Sequence, residues 1–335
     1  MRLPIYVRVA GRHIGHDGRE GVTLSRLEIV LTPVRPFRLD LTAWALRRRA
    51  NNLVDRWDGR VYRRVLVLSG RSVEISVTQE GDPDSARLRV VASGVCLGAP
   101  VKRAVRATVE RMLGLRVDLH GFYRRAAGHR KLRRLAERFR GLKPPRFPTV
   151  FECLVNAVAC QQLSLTVGII LLNRLADRYG AAFGRSDGEA HAFPRPSDLA
   201  TARPASLRRL GFSGHKAHAV LGLAKVATAG RVDLERIEEL DDIAAVAQLK
   251  ELRGVGRWSA EYVLLRGLGR FHVFPVDDVG ARNNLARWLA LRRSLDADGV
   301  IRTLARWSPY AGLIYFHLLL DRLARTVRLD QTPGA

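Results

Sequence analysis

Between residues 36 and 100 the apolar positions alternate with other residues. Val65 and Val67 form one run, and Val73, Ile75 and Val77 a second, joined by Ser69-Gly70-Arg71. Leu88, Val90 and Ala92 follow the turn residues Gly81-Asp82-Pro83-Asp84, and Arg38-Leu39-Asp40-Leu41 reads as a further alternating stretch. Period-two alternation with such breaks predicts an antiparallel sheet. From about residue 101 the apolar spacing becomes helical. One helix is predicted over 101–113, a basic amphipathic stretch over 122–140, and a break at KPPRFP, 143–148. Thr149 with Glu152 reads as a capping box for a helix ending near Cys160. A long helix over 164–179 is closed by Gly180, 184–198 is a loop, and 210–224 opens another helix. Residues 249–269 read as helix, glycine turn, helix, and 281–325 as two closing helices. The first 30 residues are rich in Arg, Gly and His with weak periodicity, and read as a poorly ordered extension. The expected organisation is therefore α+β: an extension over 1–30, an α/β domain with an antiparallel sheet over 31–105, and an all-α core over 106–335.

Charge adds a partner to this picture. Lys plus Arg number 57 against 32 Asp plus Glu, a net charge of +25 over 335 residues. A bias toward arginine over lysine explains the choice of base, not the shortage of acids. Such an excess favours a polyanion, with DNA phosphate the expected one. No apolar run is long enough for a membrane span, and residues 1–20 are too interrupted by charge for a signal peptide, so the expectation is a cytoplasmic, nucleoid-associated protein without a membrane partner. Cys96, Cys153 and Cys160 are too few for the four thiolates of an iron–sulfur cluster.

The candidate chemistry lies in LKELRGVGRWSAEYVLLRGLGRFHVFPVDD, 249–278. Gly254 and Gly256 flank Val255 in the turn, where glycine tolerates positive φ and close backbone approach. A glycine turn opening a helix aims backbone N–H groups outward, which suits a phosphate. Asp277 and Asp278 follow the second helix, just before the next. A carboxylate at a helix N-terminus is held ionised by the backbone amides. Both acids are also good N-caps, so the pair is not diagnostic by itself. Trp258 and Tyr262, four apart, share a helix face that can stack on a flat base.

GVGRWSAEYVLLRGLGR (254–270), VFPVDD (273–278) and NAVACQQLSL (156–165) together resemble the helix-hairpin-helix DNA glycosylases, in particular the 3-methyladenine (alkylated-base) branch, over roughly residues 30–325. The resemblance implies a TBP-like amino-terminal sheet domain, to which 54–66 is similar, and a helical core of two subdomains with a DNA groove between them. It implies a monofunctional enzyme that flips out and hydrolyses alkylated purines such as 3-methyladenine, acting as a monomer on double-stranded DNA containing damaged bases. Asp278 takes the place of the essential carboxylate, with Asp277 the alternative if positions are counted as in the oxoguanine branch. Trp258 stands where bifunctional members carry a nucleophilic lysine, so water attacks and no strand cleavage is expected.

The same resemblance implies a base pocket of Trp258, Tyr262, Phe151 and Leu319. An aromatic is usual near Leu319 and is missing here, with Tyr315 and Phe316 displaced from it. Gln162, preceded by Gln161, matches the intercalating wedge. Phosphate contacts are expected at Gly254, Val255, Gly256, Arg257, Gly214 and Lys216. No cofactor is required, although carbonyls of Leu252 and Val255 are expected to suit a structural Na+ or K+. Two other readings stay open: a glycosylase for oxidised or deaminated bases, and a hairpin protein that binds DNA without chemistry.

Overall fold

A computed structural model describes residues 24–185 and 188–325. The chain runs β1 (Ser25–Leu31), α1 (Leu39–Arg47), β2 (Arg56–Trp57), β3 (Tyr62–Leu68), β4 (Arg71–Glu80), β5 (Arg87–Gly94) and α2 (Ala99–Met112). Then come α3 (His120–Ala127), α4 (Arg130–Arg138), α5 (Val150–Cys160), α6 (Leu165–Tyr179), β6 (Ala182–Arg185), β7 (Gly188–His191), α7 (Pro196–Leu199), α8 (Pro204–Arg209) and α9 (Gly214–Thr228). The last elements are α10 (Asp242–Glu251), α11 (Arg257–Arg266), α12 (Val279–Leu289), α13 (Ala297–Ala305) and α14 (Ala311–Leu323). The architecture is α+β, as expected. None of the described helices is long and apolar enough to cross a membrane.

The five-stranded sheet is antiparallel throughout, in the order β1-β5-β4-β3-β2. The β3–β4 hairpin closes on Ser69 (φ 50°) and Gly70 (φ 76°), with Leu68 opposite Arg71. Two successive positive φ values give the turn whose twist matches the strands. Ile29, Tyr62, Ile75, Val90 and Ala92 on one face pack against Val101, Val105 and Val109 of α2. This face is what the period-two pattern encodes.

Five expectations need correction. The end of the presumed extension is β1, paired along its whole length with β5; its alternation was hidden by Glu28, Val30 and the arginines around it. The rest of the extension, 1–23, lies outside the described residues. Arg38-Leu39-Asp40-Leu41 begins helix α1, not a strand. That helix is buried on both sides: Leu39, Ala43 and Leu46 face the sheet, while Leu41, Trp44 and Ala45 face the carboxy-terminal helices. A helix buried all round has no amphipathic signature to read. The 122–140 stretch is two helices, α3 and α4, broken after Gly128. Within 184–198, β6 and β7 form a hairpin whose Phe183 and Ala190 pack on Val65. The closing segment holds three helices, because Asp296 caps α13 separately through the Gly299 amide.

Of the expected capping box only half is made. Thr149 Oγ1 accepts from the Glu152 amide at 3.1 Å, but the Glu152 carboxylate turns to Arg64, 2.5 and 2.6 Å away. Arg64 is fully buried and also donates to Asp55 at 2.7 Å, which in turn accepts from the Tyr62 hydroxyl at 2.6 Å. This network joins β3 to α5, and so the sheet to the helices.

Two further cores organise the helices. One gathers α5, α6, α9, α10 and α11; the other gathers α1, α3, α4 and α12 to α14. In the second, His317 is buried against Phe122, with Nδ1 2.8 Å from the Leu313 carbonyl. The carbonyl can only accept, so Nδ1 carries the proton, and Nε2 is buried without a partner. Burial pushes the imidazole down to about 4, the Leu313 bond opposing it. The unfolded chain thus takes up a proton near the usual 6.5 and the folded one only near 4. The resulting stability is complete above pH about 6.5 and is lost as pH falls toward 4, by about 3 kcal/mol in all. His317→Leu should flatten this acid limb, measured as denaturant midpoints at neutral pH and near pH 4.5.

Candidate active site

The hairpin turn shows why its glycines stand where they do. Gly254 has φ 84°, and a Cβ there would lie 2.5 Å from Cβ of Ala219 on α9. Both the conformation and the approach therefore require glycine. Gly256 has φ −95° and open space, and caps α11 without any side chain. The amides of the first turn of α11 are thereby presented to the groove. Gly254→Ala should lower the unfolding free energy by about 1–3 kcal/mol and weaken binding to duplex DNA. Gly256→Ala should leave stability within about 0.5 kcal/mol. Denaturant titration of the two variants tests the contrast.

Around the turn lies a groove of about 1060 Å³. Its walls come from the 160–163 loop, the start of α9, the hairpin and the segment 277–280. Gln162 is exposed at the tip of its loop with φ 54°, beside the exposed Leu163. Gln161 is not a second wedge: its Nε2 donates to the Gly254 carbonyl at 2.9 Å and to Ser259 Oγ at 2.8 Å, which fastens the loop to the hairpin. Lys216 is also corrected. Its Nζ donates to the carbonyls of Ala159 (2.9 Å) and Gln161 (2.6 Å), and its amide to Ser213 Oγ, so it braces the loop and its phosphate role falls away. Gly214 is the first residue of α9, behind the Ser213 cap and with open space where a Cβ would stand, and the exposed His215 next to it lies on the groove wall.

Val255 is likewise withdrawn as a phosphate donor. It is buried, and its amide closes the turn on the Leu252 carbonyl at 3.0 Å. Arg257 is partnered: Nε lies 2.9 Å from Glu261 and 3.8 Å from Asp277. Glu261 in turn accepts from the Val276 amide at 2.9 Å. Glu261, which drew no attention in the sequence, thus fixes the acidic segment to α11. Only its spacing four residues after Arg257 hinted at this.

Asp278 is the N-cap of α12, accepting from the Ala281 amide through Oδ1 at 2.8 Å. It borders both the groove and a second, inner cavity of about 300 Å³. Asp277 borders the groove alone, is exposed, and faces Arg257. The inner cavity is a pocket of base dimensions where the two helical cores meet. Trp258 stacks on Tyr262, centroids 5.5 Å apart and planes at 28°, and Leu319 on α14 contributes another wall of the cavity. Tyr315, not Phe316, completes that wall; it stands edge-on to Phe274 at 5.7 Å, while Phe316 points into the core against Arg266. Burial, with the Asp278 charge second, holds the Tyr315 phenol well above its usual range, so it stays neutral. Phe151 does not belong to this pocket: it lines a separate cavity of about 530 Å³ between β3 and α5.

The pocket also holds what the sequence did not signal, three arginines: Arg48, Arg49 and Arg322. Arg48 follows α1 in the left-handed region (φ 61°) and is 4% exposed. It donates to the Tyr262 hydroxyl at 3.0 Å and to Asn156 Oδ1 at 2.6 Å, and its buried Nε has no partner. A non-glycine residue in that conformation points to a constraint beyond local preference. Arg49 is anchored on Thr166 Oγ1 at 3.2 Å, and burial lowers its pKa, the charges of Arg322 and Arg48 adding to the effect. Two opposing forces act on a cationic ligand here. Stacking on Trp258 offers a cation about 0.5–2 kcal/mol. One like charge at 4 Å costs about 4 kcal/mol at an effective dielectric of about 20, less where water screens it. The pocket lining carries three guanidinium groups against one carboxylate.

Residues 155–309 match the sequence profile described as HhH-GPD superfamily base excision DNA repair protein. The chain is 29% identical over 174 residues to a putative DNA-3-methyladenine glycosylase of Bacillus subtilis, covering 52% of this chain and 58% of that protein. It is 29% identical over 178 residues to DNA-3-methyladenine glycosylase 2 of Escherichia coli, covering 53% and 60% respectively. These matches thus span about six-tenths of each relative's own length. Among solved structures, the 3-methyladenine DNA-glycosylase of Archaeoglobus fulgidus superposes with a TM-score of 0.77 at 28% identity, covering 88% of this chain and 99% of that one. By hairpin, acidic segment and sequence profile, residues 155–309 form a domain of the HhH-GPD superfamily of base excision DNA repair proteins, and the likenesses, sheet domain included, are to its alkylation-repair branch.

Proposed function

We propose that this chain is a monofunctional DNA glycosylase that excises damaged, alkylated bases from duplex DNA, one chain acting on one lesion in the nucleoid. The observation that carries the reading is the place of Asp278, at a helix N-terminus on the rim shared by a groove of duplex scale and a pocket of base scale. A base entering the pocket leaves its sugar at that rim. As the glycosidic bond lengthens, the sugar gains oxocarbenium character, and the carboxylate opposite stabilises it and orients water. The amides at Gly256 and Gly214 receive phosphates, and Gln162 fills the space the base leaves. With an indole at 258 there is no amine on this wall to form a Schiff base.

A monovalent cation fits the hairpin. Carbonyl oxygens are the ligands a hard cation takes, and Leu252 O, though it accepts from Val255, keeps a second lone pair. With Val255 O it would hold the ion beside the groove, adding positive potential for a phosphate.

Mass spectrometry of bases freed from damaged duplex DNA under single-turnover conditions tests the reading. Free base is expected, and borohydride should trap no protein–DNA adduct. An adduct would move the chain to the lyase class, and lesion binding without base release would make it a binding module.

A further inference from the structure

Three arginines drawn from two distant parts of the chain converge on the pocket: Arg48 and Arg49 after α1, and Arg322 on α14. The carboxylate of Asp278 lines the same pocket. The geometry points to a pocket selective for neutral damaged bases that carry carbonyl or ring-nitrogen acceptors, with Arg48 as the specificity-determining residue. This rests on the glycosylase reading and departs from the expectation of 3-methyladenine, whose nucleoside is a cation.

The chemistry of departure gives the reason. The C1′–N bond breaks with both electrons going to the base. Water oxygen bonds to C1′, its proton passing to Asp278 or solvent. A base already cationic leaves as a neutral molecule, so no negative charge develops on it for a donor to stabilise. A neutral base leaves with growing negative charge and is reprotonated from solvent; the products are the free base and an abasic sugar. Guanidinium groups have only donors, so they bind acceptor atoms, and they bind them more tightly as negative charge grows. Arg48 is suited to this. It is buried, held by Tyr262 and Asn156 in one orientation, and its Nε has no partner within the protein. Arg322 reinforces it from the rim, where Nη1 stands 3.6 Å from the point a Cβ on Gly280 would occupy, beside Asp278.

The test is single-turnover excision from duplexes carrying one hypoxanthine, one 1,N6-ethenoadenine or one 7-methylguanine. The first two are neutral and the third is cationic. The quantity read is the rate ratio of neutral to cationic lesion, compared between wild type and variants so that intrinsic bond lability cancels. Arg48→Gln should lower the ratio by about tenfold and Arg322→Gln by at least about threefold. A merely structural role for Arg48 would slow all three lesions alike. Arg322 is exposed, so its variant keeps the test alive if Arg48→Gln does not fold. Release of all three bases with ratios within about threefold of wild type in both Gln variants overturns the inference and leaves the glycosylase reading standing. No release of any base by the wild type overturns both.

Discussion

Asp278→Asn should abolish most base release, by about a hundred- to a thousandfold in single-turnover rate, while lesion-containing duplex still binds. Asparagine caps a helix as well as aspartate does, so α12 keeps its bond to the Ala281 amide and the fold is undisturbed. What is lost is the negative charge that the proposed mechanism sets against the anomeric carbon. Asp277→Asn should have a small effect by comparison, because Asp277 faces Arg257 across the groove rim and does not border the pocket. Rates and duplex affinity for both variants, measured side by side, decide the matter. Equal loss in both, or loss in Asp277→Asn alone, would reassign the carboxylate.

The largest stability effect is expected at the junction of sheet and helices. Arg64 is fully buried between Asp55 and Glu152. Glu152→Ala leaves a buried guanidinium short of its partner, which costs about 3–5 kcal/mol. The melting temperature should fall by on the order of 10 °C. Arg64→Met together with Glu152→Leu and Asp55→Asn removes all three charges of the network, the asparagine still able to accept from Tyr62, and should recover most of the loss, since buried ion pairs barely outweigh the cost of desolvating them. Differential scanning calorimetry of the single and triple variants checks both expectations. If the triple variant were as unstable as the single, the network would be fixing geometry beyond its charges. The same junction positions α1, whose end carries Arg48 into the pocket, so loosening it should also slow base excision.

Much of this molecule is legible without coordinates. The strands β3 to β5 are half-buried, so their alternation marks their faces directly. The hairpin glycines and the acidic pair are local signals, because turn conformation and helix capping depend on a few neighbouring residues. The exposed Gln162 could be picked out for the same reason. Where the chain is buried on all sides, as in α1, periodicity vanished and the element was misread.

The roles of long polar side chains were settled only by folding. Lys216, Gln161 and Arg257 carry the right chemistry for DNA, yet each is turned to a carbonyl, a hydroxyl or a carboxylate of the protein itself. A flexible side chain several bonds long can reach many partners, and nothing in its sequence neighbours says which. Phe151 and Phe316 were set apart from the pocket by helix rotation, a property of packing between helices far apart in sequence. Arg48 and Arg322 lie 274 positions apart (322 − 48) and meet at one cavity. That convergence is a consequence of α1 being wedged between the sheet and α14, and with it the charge of the pocket was decided by the tertiary structure alone.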